Sequence, residues 1–96
     1  MRSEEKKKTT EIGMEILFHD VIIHMKPQEV LFYREECGCF ATFTIPEEFK
    51  ENANQFYDLY VENENVVVIL VARKGCDIAI VLDEQEGKMR TWHYNK

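Results

Sequence analysis

Short apolar segments separated by polar turns constrain the fold of this chain more than any other feature. The longest apolar run, 66–72, has seven residues, which is too few to cross a bilayer as a helix. It is rich in Val and Ile and does not alternate with polar residues, so we predict a strand over 66–73 with both faces covered. A second continuous run, 78–82, predicts another strand of the same kind.

Residues 14–25 predict a β-hairpin. Alternation breaks in the middle of this segment, and a two-residue turn at His19 and Asp20 restores it. The opposed pairs are then Met14 with Met25, Ile16 with Ile23, and Phe18 with Val21. The same register places His24 opposite Glu15 as a cross-strand charge pair. Neither turn residue is Gly, so one long strand with a bulge is the alternative.

Three further strands are predicted, over 30–34, 39–45 and 89–94. In the second of these, Cys39 and the alternating residues after it form an apolar face, with Cys39 as a small packed side chain and Cys37 in the preceding turn. In the last strand, Arg90, Trp92 and Tyr94 share one face.

The segment between residues 46 and 62 predicts a helix. Thr44 and Glu47 have the spacing of a capping box, and Pro46 suits a first helical turn. The stripe expected to face the sheet consists of Phe49, Ala53, Phe56 and Tyr60. The fold class is therefore predicted to be α+β, with about seven mostly antiparallel strands in the order four strands, one helix, three strands. The helix would pack on one face of the sheet.

A chain of 96 residues and 11.4 kDa supports one domain. Residues 1–10 are polar and aperiodic, so we expect a disordered charged tail followed by a single domain over 11–96. We expect a cytoplasmic protein with reduced thiols, since three Cys are too few for a disulfide framework and no signal-peptide pattern follows the basic N-terminus.

Charge is distributed unevenly along the chain. The net formal charge is −6, but residues 1–8 carry +2 and residues 27–65 carry −7. An acidic surface disfavours direct binding of nucleic acid or of anionic membranes. It is compatible with a solvated surface that keeps a small protein soluble, or with docking on a basic partner.

The predicted interaction surface combines acidic and aromatic side chains. Tyr, Trp and Arg contribute most often to binding energy at interfaces, and an edge strand can also pair with a second copy of the chain. The candidate partner-binding residues are Glu47, Glu48, Glu51, Tyr57, Asp58, Glu62, Trp92 and Tyr94. We also consider a homodimer formed through an edge strand.

These features predict a small, acidic, non-enzymatic protein-binding domain that acts as an inhibitor or regulator of a basic, nucleic-acid-binding protein. No cofactor is expected, since the four Gly are scattered singly and form no phosphate-binding loop. No nucleophilic catalysis is expected from the single Ser, which lies in the tail. One alternative is a metal- or thiol-dependent site built on Cys37, Cys39 and Cys76, although the spacing lacks a second ligand pair. Another is a small ligand-binding or housekeeping domain with a pocket between helix and sheet.

Overall fold

Two antiparallel sheets pack face to face around one core. The computed structural model describes residues 8–10, for their backbone, and residues 13–95. Sheet A consists of β1 (Lys8–Thr10), β2 (Gly13–Phe18), β3 (Val21–Met25), β4 (Glu29–Arg34) and β5 (Gly38–Thr44). Sheet B consists of β6 (Ala53–Glu62), β7 (Asn65–Ala72), β8 (Asp77–Asp83) and β9 (Lys88–Asn95). Both sheets are meanders in which each strand pairs with the next along the chain.

The predicted α+β class is wrong, because the segment predicted as a helix forms strand β6. Among the described residues, helical structure is limited to a 3-10 turn over Glu47–Phe49. The capping-box prediction is also wrong, since Pro46 precedes that turn and no side chain caps it. The nearly all-β architecture leaves no helix to pack on a sheet.

Two β-bulges explain why β6 looks helical in the sequence. Register shifts fall between Ala53 and Gln55 and between Phe56 and Asp58, and each adds one residue to β6 relative to β7. The buried residues Ala53, Phe56 and Leu59 are therefore three apart, although their partners on β7 alternate normally. A period of three is close to the helical 3.6, so the bulged strand imitates an amphipathic helix.

The predicted hairpin is confirmed. Strands β2 and β3 pair in the expected register, and His19 and Asp20 both have positive φ, at 51° and 65°. This is the geometry of a type I′ turn, here formed without Gly. The predicted cross-strand pair is also present, with His24 Nδ1 3.2 Å from Glu15 Oε1.

The core lies between the two sheets and is built from inward-facing side chains of β2 to β9. Its largest side chains with almost no exposed surface are Phe32, Phe56, Ile16, Ile23, Leu59, Leu70, Ile80 and Leu82. Val67, Ile69 and Ala79 form a second buried cluster, with Tyr60 packed against it. The predicted double-sided burial of the 66–73 strand is confirmed, because residues 66–70 of β7 are all buried.

A bulge in sheet A corrects the predicted face of β5. Phe32 pairs with Ala41 whereas Tyr33 pairs with Cys39, so Phe40 is the extra residue. Phe40 then packs against the core beside Phe32, and Cys39 is exposed. The expectation that Cys39 is a packed strand residue is therefore wrong, whereas Cys37 does lie in the turn before β5.

The meander order sorts the turns to two ends of the molecule. The hairpin end comprises turns 19–20, 35–37, 63–64 and 84–87 with the strand residues next to them. The linker end comprises segments 26–28, 45–52 and 73–76 with their flanking residues. Residues 1–7 of the predicted tail lie outside the described residues, while Lys8–Thr10 form β1. Within the described part of the chain, no helix has the length and apolar character needed to span a membrane.

Candidate functional site

Three of the predicted acidic residues lie on the linker between the sheets. Glu47, Glu48 and Glu51 are exposed, and the 3-10 turn that carries the first two is anchored by the buried Phe49. Lys50 Nζ lies 3.4 Å from Glu47 Oε1 in an exposed ion pair. Exposed pairs of this kind contribute little to stability, so the turn is held mainly by Phe49.

Phe49 joins the acidic linker to the predicted aromatic residues. Its ring meets Trp92 edge-to-face at a centroid distance of 5.0 Å, and Trp92 meets Tyr94 in the same way at 5.3 Å. Trp92 packs against the core, while Tyr94 is 56% exposed. The two residues lie on the same face of β9, whereas Arg90 falls in a bulge of this strand, between residues 89 and 91. The shared face predicted for all three is therefore limited to the two aromatics.

The remaining predicted residues lie on β6, at the opposite edge of sheet B from β9. Tyr57 is the extra residue of a bulge and is 49% exposed, and Asp58 Oδ1 accepts a hydrogen bond from the Leu59 amide. Burial raises the pKa of the neighbouring Tyr60 above its ordinary value of 10.0, and the charges of Glu62 and Asp58 add to this rise. The eight candidate residues thus form two separate groups, one on the linker and β9 and one on β6.

The hairpin end is a more acidic surface, and it was missed from the sequence. It carries eight Asp or Glu residues and two Lys or Arg residues, whereas the linker end carries five Asp or Glu residues and four Lys or Arg residues. The acidic residues are Asp20, Glu35, Glu36, Glu62, Glu64, Asp83, Glu84 and Glu86. Alternate turns of a meander fall at the same end, so adding the charges of alternate turns would have found this surface. The predicted helix interrupted the meander and concealed the pattern.

His19 connects three turns of the hairpin end. Its Nδ1 lies 2.9 Å from Glu84 Oε2, and its Nε2 lies 3.7 Å from Glu64 Oε1. Glu84 is only 6% exposed and is the one buried charged residue among those described. The His19 ring also stacks on Phe18 at 3.8 Å between centroids. A buried carboxylate requires such a partner, so His19 fixes the 19–20 turn to the 84–87 turn.

A groove of about 430 Å³ opens beside this histidine. Leu17 and Phe18 supply an apolar wall, while Asp20 and Glu64 supply carboxylates on the same lining. Leu17 is 43% exposed, which is unusual for a large aliphatic side chain of this protein. The groove therefore combines exposed hydrocarbon with negative charge.

The cysteines do not form the alternative metal site. All three are free and exposed; Cys37 and Cys39 lie at the hairpin end or next to it, whereas Cys76 lies in the 73–76 turn at the linker end. Within the described ranges, no three His, Cys, Asp or Glu side chains are grouped closely enough to hold a metal ion.

Comparisons with known proteins add no identification. No protein-family model, curated protein or solved structure matches the chain.

Proposed function

We propose that this protein is a small, non-enzymatic binding domain that docks on a basic protein partner through its hairpin end. The observation that carries the proposal is the groove beside His19, in which an apolar wall from Leu17 and Phe18 adjoins the carboxylates of Asp20 and Glu64. Such a surface suits a Lys or Arg side chain, whose aliphatic stem packs on hydrocarbon while its charged head meets a carboxylate.

The charge of the hairpin end supports the choice of a basic partner. An excess of six acidic residues around one end creates a local negative field that speeds the association of a positively charged protein. Proteins that bind nucleic acids carry clustered Lys and Arg, so they are the partner class that this surface fits best. Occupation of that cluster would inhibit or regulate nucleic-acid binding. We place this activity in the cytoplasm, where the three exposed thiols would stay reduced.

The proposal is tested with an Arg- and Lys-rich synthetic peptide as the probe, followed by amide chemical shifts of the protein. We expect the shifts to change at residues 17–20 and 62–64 and to stay unchanged at 47–51. Raising the salt concentration from about 0.1 M to about 1 M shortens the Debye length from about 10 Å to about 3 Å, so the affinity should fall strongly.

Matched variants separate the two acidic surfaces. Asp20→Asn combined with Glu64→Gln removes two charges at the groove, and Asn keeps the left-handed conformation of residue 20. Glu47→Gln combined with Glu48→Gln removes two charges at the linker end. We expect only the first pair to weaken peptide binding. Equal weakening by both pairs, or binding that is indifferent to salt, contradicts the proposal.

A further inference from the structure

The linker end contains a larger cavity whose lining is cationic. It has a volume of about 640 Å³, within the range typical of small-molecule sites. Its polar and charged lining comes from Gln28, Thr44, Lys50, Asn54 and Arg73, and includes two cations and no carboxylate. In a protein with a net charge of −6, this sign of charge is unexpected.

Several exposed donors at this cavity have no partner among the described residues. The Arg73 guanidinium, the Thr44 hydroxyl and the Asn54 side-chain amide make no hydrogen bond or ion pair to any described residue. Gln28 is held in place because its Nε2 donates to the backbone carbonyl oxygen of Asn54 at 3.2 Å. The cavity thus presents a planar guanidinium fork next to neutral hydrogen-bonding groups.

The backbone around Arg73 is fixed, so the fork is not carried on a loose turn. Its amide donates to the Asn52 carbonyl oxygen at 2.6 Å. The Asn52 side chain also makes two hydrogen bonds with Lys74. Its Nδ2 donates to the Lys74 carbonyl oxygen at 2.9 Å, and its Oδ1 accepts a hydrogen bond from the Lys74 amide at 3.0 Å. These bonds clamp the 73–76 turn to the end of the linker, and so bring Arg73 and Lys50 to one cavity.

We propose that this cavity binds the phosphate group of a small phosphorylated molecule. An Arg fork matches two phosphate oxygens bidentately, and a nearby Lys adds a point charge. The hydroxyl of Thr44 and the amide of Asn54 supply neutral donors for the remaining oxygens. The volume exceeds that of phosphate alone, which leaves room for the rest of the molecule.

Glu47 competes with a bound anion for Lys50, since its Oε1 lies 3.4 Å from Lys50 Nζ. Its side chain is 90% exposed and does not line the cavity, so a bound dianion would displace it from Lys50 at little cost. This site is separate from the acidic groove, which lies at the other end of the molecule. Either proposal can therefore fail without affecting the other.

The test is a titration of the protein with inorganic phosphate, followed by amide chemical shifts. We expect shifts to change at residues 44, 50, 54 and 73. Arg73→Gln should weaken phosphate binding by about tenfold, because it removes a charge-assisted bidentate contact. Lys50→Gln is a second variant on a different element and should weaken binding in the same direction.

Lys74→Gln is the matched control, since it removes an equal charge from the adjacent residue, which does not line the cavity. We expect less than about a twofold loss from it, as is usual for a screened surface charge. Equal losses from Lys74→Gln and Arg73→Gln would reduce the effect to general electrostatics and overturn the proposal. Acetate binding as tightly as phosphate, or shifts located elsewhere, would overturn it as well.

Discussion

Gly87 provides the sharpest test of how the two sheets are held together at the hairpin end. It is buried in the turn between β8 and β9 and has a φ of +72°. A Cβ added there would lie 2.3 Å from the Cβ of Ala41 and 3.3 Å from Cδ1 of Phe32. Both neighbours belong to sheet A, so Gly87→Ala forces the 84–87 turn of sheet B away from its partner sheet.

The expected cost has two separable parts. A left-handed conformation costs a non-Gly residue about 1–2 kcal/mol, and overpacking a core contact costs about 1–3 kcal/mol. Gly75→Ala isolates the first part, because Gly75 has a φ of +81° and nothing lies within 4 Å of its added Cβ. We therefore expect Gly87→Ala to lose about 1–3 kcal/mol more stability than Gly75→Ala.

The assay is urea unfolding of the two variants alongside the unmodified protein, with thermal unfolding as a second readout. Each kcal/mol lowers the Tm of a domain of this size by about 4–8 °C, so the additional loss at Gly87 is readily measured. Equal stabilities of the two Ala variants would refute the close approach of the turn to sheet A.

A double variant then locates the clash. Ala41→Gly removes the Cβ at 2.3 Å and leaves the Phe32 contact, which needs a shift of only a few tenths of an ångström. Ala41→Gly alone costs about 0.5–1 kcal/mol in a strand. Combined with Gly87→Ala it should cost at least about 1 kcal/mol less than the sum of the single variants, since the two residues are in contact. Additive costs would place the strain somewhere other than Ala41.

Tyr60 and His19 each contribute to stability in a way that a single substitution can test. The raised pKa of Tyr60 adds stability that is fully present below pH 10.0 and is lost as the pH rises through the higher pKa of the folded state. Tyr60→Phe should therefore flatten the fall in unfolding free energy at alkaline pH. An unchanged slope of unfolding free energy against pH contradicts this. His19→Asn keeps the left-handed turn but leaves Glu84 without its partner, which should cost about 1–2 kcal/mol in urea unfolding. Adding Glu84→Gln should recover most of that loss, and no recovery would mean that His19 acts through packing alone.

The sequence predicted a strand correctly wherever its side chains alternate without interruption or are apolar throughout. The β2–β3 register followed from placing one two-residue turn, because a shift of one residue would expose Ile16 and Ile23 together. Strands with bulges were misjudged, as β6 and the face of β5 show, because an inserted residue changes the period or reverses the faces. Whether a strand bulges depends on its partner strand, which one segment of sequence does not contain.

The prediction of the candidate site suffered from the same error. Charged residues that are close in the sequence are not necessarily close in the folded protein. The acidic 27–65 segment suggested one continuous surface, but the meander divides it. Glu35, Glu36, Glu62 and Glu64 go to the hairpin end, while Glu47, Glu48 and Glu51 go to the linker end. At the linker end, Lys26, Arg73 and Lys74 from other turns offset these acidic residues. The net charge of that end is therefore close to zero, and two cations line its cavity. One strand taken for a helix was enough to hide that the two ends differ in charge and suit different ligands.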